Sequence, residues 1–137
     1  MSIELVIVTP QGESYRGPVE SVVLPGAEGE FEVLAQHERF LSPLKVGAVE
    51  IKATNDSTHA VIASGFADVS GSQVAVLVES CEVAGDIDQA WAQLELERAK
   101  AGLAAVDADE NRERYEEYER ALAYAEARID VAAKGHG

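Results

Sequence analysis

Val74-Ala75-Val76-Leu77-Val78-Glu79-Ser80-Cys81-Glu82-Val83-Ala84-Gly85-Asp86-Ile87-Asp88-Gln89-Ala90-Trp91 is the stretch in which one structural grammar gives way to another. Val74 to Val78 is a short apolar run behind the breakers Ser70-Gly71-Ser72, and it reads as a strand. Beyond Val83, Asp86-Ile87-Asp88-Gln89 is a capping-box variant. Asp86 can accept from the first free backbone amides while Gln89 reaches back, so a helix is expected to start there. Ile87, Ala90, Trp91, Leu94 and Ala101 then recur three and four residues apart, the period of one helical face.

Upstream of the junction every apolar run is short. Ile3, Leu5 and Ile7 alternate with Glu4, Val6 and Val8, Thr9-Pro10-Gln11-Gly12 supplies turn chemistry, and Ser14-Tyr15-Arg16 resumes the strand. Further strands are expected over Val19 to Leu24, Phe31 to Leu34, Ala48 to Ala53, His59 to Ser64 and Phe66 to Val69, separated by Pro25-Gly26, Gly47 and Asn55-Asp56-Ser57. No helical run precedes residue 86, so βαβ units are excluded and a sandwich or barrel is indicated.

Downstream, Asp107-Ala108-Asp109-Glu110 repeats the helix-start signal, with Asp107 the expected N-cap, and Tyr115, Tyr118, Leu122, Ala125 and Ile129 mark a second apolar stripe. Two helices of ~18–25 residues joined by so short a connection fold back antiparallel. The expected fold is therefore β + α, an N-terminal antiparallel β-sandwich over residues 1–85 followed by a C-terminal antiparallel α-helical hairpin over 86–137. Both helical stripes are thin and alanine-rich, so the hairpin holds itself together weakly and is a candidate moving part.

Composition narrows the function. The 137 residues are 47% hydrophobic, which fits a folded chain, and 25 Asp and Glu against 11 Lys and Arg give a formal net charge of -14. A surface of that sign repels nucleic-acid backbones and anionic lipid, and leaves protein partners open. Cys81 is the single cysteine, so no internal disulfide can form. Met1-Ser2-Ile3-Glu4 lacks the basic residues of a secretory signal, there is no Arg-rich leader, and Val74 to Val78 is too short to span a bilayer; a soluble chain is expected.

The residues of catalysis do not assemble. His37, His59 and His136 are dispersed, and His37-Glu38-Arg39-Phe40-Leu41 opens like a zinc-protease helix without its second histidine. Ser64-Gly65 lies between two expected strands and not at a nucleophile elbow. No catalytic residue, metal or cofactor is expected. Trp91 reads as a packing anchor for the first helix, against the sandwich or the neighbouring helix, and Tyr115, Tyr118 and Tyr124 as core or interface residues. The acidic run from Glu110 to Glu119 reads as a solvated face with internal Arg pairs.

Ala27-Glu28-Gly29-Glu30-Phe31-Glu32-Val33-Leu34-Ala35-Gln36-His37, Leu41-Ser42-Pro43-Leu44-Lys45-Val46-Gly47, Ser64-Gly65-Phe66-Ala67-Asp68-Val69, Val74 to Val78 and the Ile87-Asp88 hairpin start together resemble the epsilon subunit of the bacterial F-type ATP synthase. The resemblance implies a non-catalytic subunit of the central stalk, peripheral on the cytoplasmic face of the bacterial inner membrane. Its sandwich would join the gamma subunit to the c-subunit ring in proton-driven ATP synthesis. Glu28, Glu30, Phe31 and His37 are the implied candidates for the c-ring and gamma interface. The hairpin, packed through Ile87, Trp91, Leu94, Tyr115, Tyr118, Leu122 and Ile129, is implied to switch between a compact form and one extended into the alpha/beta catalytic head, where it blocks hydrolysis.

Two departures from the family pattern alter that expectation. ATP-sensing members continue Ile-Asp, after two variable positions, with Arg-Ala, whereas here Ile87-Asp88 is followed at those positions by Trp91-Ala92, a degenerate motif expected not to bind nucleotide. From Asp107 onward, five basic residues face nine acidic ones, a net of -4, and like charge opposes docking against an acidic catalytic-subunit loop, so weak inhibition is expected. The competing reading is a free-standing β-sandwich module for sugar or peptide with a helical tail. Such modules cluster aromatics on one face, and residues 1–85 hold only Tyr15, Phe31, Phe40 and Phe66. A double-stranded β-helix enzyme comes third, for want of paired metal-ligand histidines.

Overall fold

A computed structural model describes residues 2–35 and 38–134. Ten strands precede two helices: β1 (Ile3–Thr9), β2 (Gly12–Val19), β3 (Ser21–Gly26), β4 (Gly29–Leu34), β5 (Phe40–Leu44), β6 (Gly47–Ala53), β7 (Asp56–Ile62), β8 (Gly65–Val69), β9 (Gln73–Val78) and β10 (Cys81–Val83), then α1 (Gln89–Ala105) and α2 (Arg112–Lys134). The strands form one continuous sheet in the order β10-β7-β6-β3-β5-β8-β9-β1-β2, with β4 paired to β3 beside that path. The sheet folds over into a nearly closed sandwich. β3 makes the corner, pairing Ser21 to Val23 with β6 and meeting Leu44 of β5 through Gly26.

Alternation builds the core as the sequence predicts. Leu5 and Ile7 of β1, Val22 and Leu24 of β3, Val49 of β6, Ile62 of β7 and Val74 and Val76 of β9 are fully enclosed between the two layers. Two features depart from the expected pattern. β1 runs parallel to β9, pairing Leu5 with Val74 and Ile7 with Val76, in an otherwise antiparallel sheet. The run Val19 to Leu24 is divided between β2 and β3 at Glu20.

The segment that opens like a protease helix contains strand β5, in spite of Pro43. Pro43 pairs with Phe66 of β8, while its carbonyl accepts from Ala27 N–H at 3.0 Å, on the side where no strand ladder demands a proline N–H.

Helix starts also differ from expectation by a few residues. Ala84–Asp86 forms a single 3-10 turn, and the N-cap of α1 is Asp88, whose carboxylate accepts from Trp91 N–H at 3.0 Å. Asp86 is therefore not the cap. Asp107 caps the connecting turn, accepting from Asp109 and Glu110 N–H, whereas Asn111 Oδ1 accepts from Arg114 N–H at 3.2 Å and starts α2.

The inward face of α1 is rotated from the predicted stripe. Ala92 and Ala99 are buried, whereas Trp91 and Leu94 are each 47% exposed. Trp91 is thus no buried anchor in this form; the Arg98 guanidinium of its own helix lies 5.5 Å from its ring centroid. The small face packs closely on α2: a Cβ on Gly102 would lie 2.3 Å from the Tyr118 ring, so only a glycine fits there without a shift. α2 keeps its predicted stripe, with Tyr115, Tyr118, Leu122 and Ile129 half-buried and Ala125 buried.

Candidate docking surfaces

The outward face of β5, β8, β9 and β1 carries an apolar row. Register pairs Pro43 with Phe66, Phe66 with Leu77 and Leu77 with Val8, so these side chains stand side by side across four strands. Leu41 is 67%, Phe66 52% and Leu77 50% exposed. Neither helix covers them, because α2 lies on the other layer against β6 and β7. A contiguous exposed apolar patch of this kind marks a protein contact. The sequence carried the signal: in an alternating strand, Phe66 and Leu77 fall on the face opposite Ala67, Val76 and Val78.

One end of the sandwich is acidic. The β3–β4 turn returns from Gly26 to Gly29, and Gly29 has a φ of 144°, a conformation open to glycine alone without strain. Glu28, Glu30 and Phe31 from this turn line one open cleft of ≈ 570 Å³ with Ser42 and Pro43. Phe31 meets Phe40 edge to face at 5.6 Å, which fixes the base of the turn to β5. The structure therefore brings Glu28, Glu30 and Phe31 together, and Pro43 joins their cleft to the apolar row; His37 lies outside the described residues.

The hairpin is seated through a small junction. Val61, Ala84 and Val131 form its buried centre, flanked by Ala48, Ile87, Tyr124 and Ala127. Beside them Arg128, 7% exposed, donates from Nε to Glu82 Oε1 at 2.7 Å and from Nη1 to Glu95 Oε1 at 2.5 Å. Burial disfavours the guanidinium charge, but the Glu82 and Glu95 carboxylates outweigh it and hold the Arg128 pKa above its ordinary value. Sequence reasoning missed Arg128, since periodicity places an arginine among alanines and says nothing of carboxylates from another element.

The degenerate nucleotide motif is dispersed in this form. Ile87 packs at the junction, the Asp88 carboxylate is engaged as the α1 cap, Trp91 faces outward and Ala92 inward. Among the described residues no group of three His, Cys, Asp or Glu could hold a metal ion, and no helix is long and apolar enough to cross a membrane.

A rigid sandwich with an apolar sheet face, an acidic end and a lightly seated helical hairpin defines a docking subunit that works by contact with other proteins. Residues 2–84 match the family described as ATP synthase, Delta/Epsilon chain, beta-sandwich domain. The ATP synthase epsilon chain of Syntrophobacter fumaroxidans is 39% identical over 132 residues, 96% of each chain, and that of Nitratidesulfovibrio vulgaris is 43% identical over 105 residues, 77% of this chain and 78% of the relative. Among solved structures, the Euglena gracilis mitochondrial ATP synthase (OSCP/F1/c-ring, rotational state 1) contains a chain that superposes with a TM-score of 0.83 at 25% identity, over 96% of this chain and 81% of that one. The chain belongs to the ATP synthase epsilon chain family, and it is a non-catalytic accessory subunit of that complex.

Proposed function

We propose that this chain is a rotor subunit of the central stalk that couples the c-ring to gamma in proton-driven ATP synthesis, peripheral on the cytoplasmic face of a bacterial inner membrane. The apolar row Pro43, Phe66, Leu77 and Val8 carries the reading: it is a preformed face across four strands, on the layer opposite the hairpin, and gamma is the partner assigned to it here. The matched Euglena structure includes an F1/c-ring assembly, which supports the same placement. The Glu28, Glu30 and Phe31 cleft is the c-ring end, where carboxylates set register against basic or amide loop side chains.

Binding of purified gamma to Phe66→Glu and Leu77→Glu variants tests the reading. Loss of capture with an intact fold is expected, and undiminished capture refutes the assignment. Glu30→Lys is expected to weaken proton-coupled synthesis in the assembled complex; unchanged coupling removes the c-ring placement alone.

The hairpin is regulatory in this reading, compact on β6 and β7 and extended toward the alpha/beta head when it inhibits hydrolysis. Its acidic excess makes that inhibition weak. Removing the chain beyond Val106 is then expected to raise hydrolysis by the whole complex only slightly. A large rise overturns the weak-inhibition reading.

A further inference from the structure

We propose that Arg128 is an ionic latch that holds the hairpin in its docked form by bridging three elements: its own helix α2, Glu82 of β10 and Glu95 of α1. The proposal rests on the reading of the hairpin as a moving part and supplies the contact that sets its resting state.

Among the described residues Arg128 is the one charged side chain that is buried. Its fork engages Glu82 twice, from Nε at 2.7 Å and from Nη2 at 3.3 Å, and reaches Glu95 with Nη1. The guanidinium also lies 5.8 Å from the centroid of the Tyr124 ring, whose hydroxyl is 3.5 Å from Ser80 Oγ beside β10. One side chain thus ties together the sandwich and both helices.

Apolar contact is meagre at this joint. Among the described residues only Val61, Ala84 and Val131 form its buried apolar centre, and α1 buries no side chain larger than alanine. The arrangement of charge therefore weighs heavily in whether the hairpin docks. Glu82 and Glu95 come from different elements, and both reach the one Arg128 guanidinium. Without the cation, docking brings two carboxylates together uncompensated, whereas in an undocked form each is solvated at no disadvantage.

With the guanidinium buried and its carboxylates partly exposed, the pairing gains little over the hydrated, separated state, because desolvation of Arg128 offsets part of the attraction. A joint built this way favours docking by a narrow margin and can be released. A joint of large apolar residues would not share that property. The bidentate fork adds a geometric requirement that lysine cannot reproduce.

Amide hydrogen exchange on the full chain tests the latch, with the sandwich amides as internal reference. Arg128→Met is expected to accelerate exchange across α1 and α2 at least tenfold and leave β1 to β9 unchanged, because most helical stability in a protein comes from tertiary packing, which undocking removes. Arg128→Lys should fall between Arg128→Met and the parent, and the triple variant Glu82→Gln, Glu95→Gln, Arg128→Met should regain protection by removing the stranded carboxylates. Unchanged helix exchange in Arg128→Met overturns the proposal, as does equal acceleration in helices and strands. Should Arg128→Met not fold, Glu95→Gln, which touches no strand, decides the matter by the same readout. Hydrolysis by the assembled complex separates the two readings: faster helix exchange with unaltered hydrolysis leaves the latch standing and removes the regulatory role.

Discussion

Gly102→Ala tests how the two helices meet. A Cβ at Gly102 would lie 2.3 Å from Cε1 and 2.5 Å from Cδ1 and Cζ of Tyr118, where carbon atoms ordinarily rest about 3.5–4.0 Å apart. The ring must therefore retreat by about 1 Å, or the helices must separate there. Two effects oppose. Replacing an interior helical glycine by alanine favours α1 by ~1 kcal/mol. Overpacking costs about 1–3 kcal/mol, and here the intruding methyl faces a ring already positioned over its own helix by Arg114, 5.8 Å away. Taking the middle of that range, the docked hairpin loses ~1 kcal/mol, about fivefold in its equilibrium. Hydrogen exchange of the α1 and α2 amides reads this directly. In a Tyr118→Ala background the clash is gone, so the same substitution should instead protect the helices by about the propensity gain. Increased protection in the parent background, with Tyr118 intact, refutes the close-packed geometry and with it the orientation of α1.

Partial burial, and then the neighbouring Glu82 charge, push the Cys81 thiol up to about 11, so at pH 8 it should react with a maleimide more than ~100-fold slower than an ordinary thiol; a rate matching free glutathione contradicts the half-buried placement. The Ser21 hydroxyl, and then Lys52, hold Glu32 below the usual carboxylate range, so its contribution to stability is complete above about pH 4.3 and lost as pH falls through the lowered value. Glu32→Gln should therefore flatten the acid limb of a urea-midpoint titration, and an unaltered limb sinks that assignment. Because Asp88 serves as a cap and Trp91-Ala92 stands where ATP-sensing members carry Arg-Ala, calorimetry of the isolated chain should detect no ATP binding at physiological concentration. Micromolar affinity refutes this.

The sandwich was legible wherever one face alternates. Ile3, Leu5 and Ile7 predict β1, and Val74, Val76 and Val78 predict β9, because a buried layer on one side imposes period two on both. β5 was not legible, since Phe40-Leu41-Ser42-Pro43-Leu44 has a proline at a position a central strand would reject; only tertiary pairing reveals that its unpaired side faces a turn. The parallel pairing of β1 with β9 is similarly a property of distant segments. The acidic end was readable as a turn from Glu28-Gly29-Glu30, and its union with Pro43 in one cleft was not, because that depends on β3 changing layers.

α1 presents the more instructive divergence. Its sequence holds two stripes of equal period about 100° apart, one of large residues through Trp91, Leu94 and Arg98, the other of small ones through Ala92, Ala99 and Gly102. Periodicity cannot choose between them, and hydrophobic size favours the wrong one for this form. The structure turns the small face inward, and at Gly102 the missing side chain lets the Tyr118 ring approach α1 closely. α2 has no such ambiguity, as Glu116, Glu117, Glu119 and Arg120 with the small Ala121 fill the positions between Tyr115, Tyr118 and Leu122. A helix with one face suited to close docking and a second, bulkier face left outward can pack in two ways. That is the physical requirement for a hairpin that moves between partners, and it needs a joint that neither apolar area nor an unbreakable bond has fixed in place. The three-element ion pair at Arg128 suits that requirement, since it specifies the docked geometry closely with little apolar area behind it.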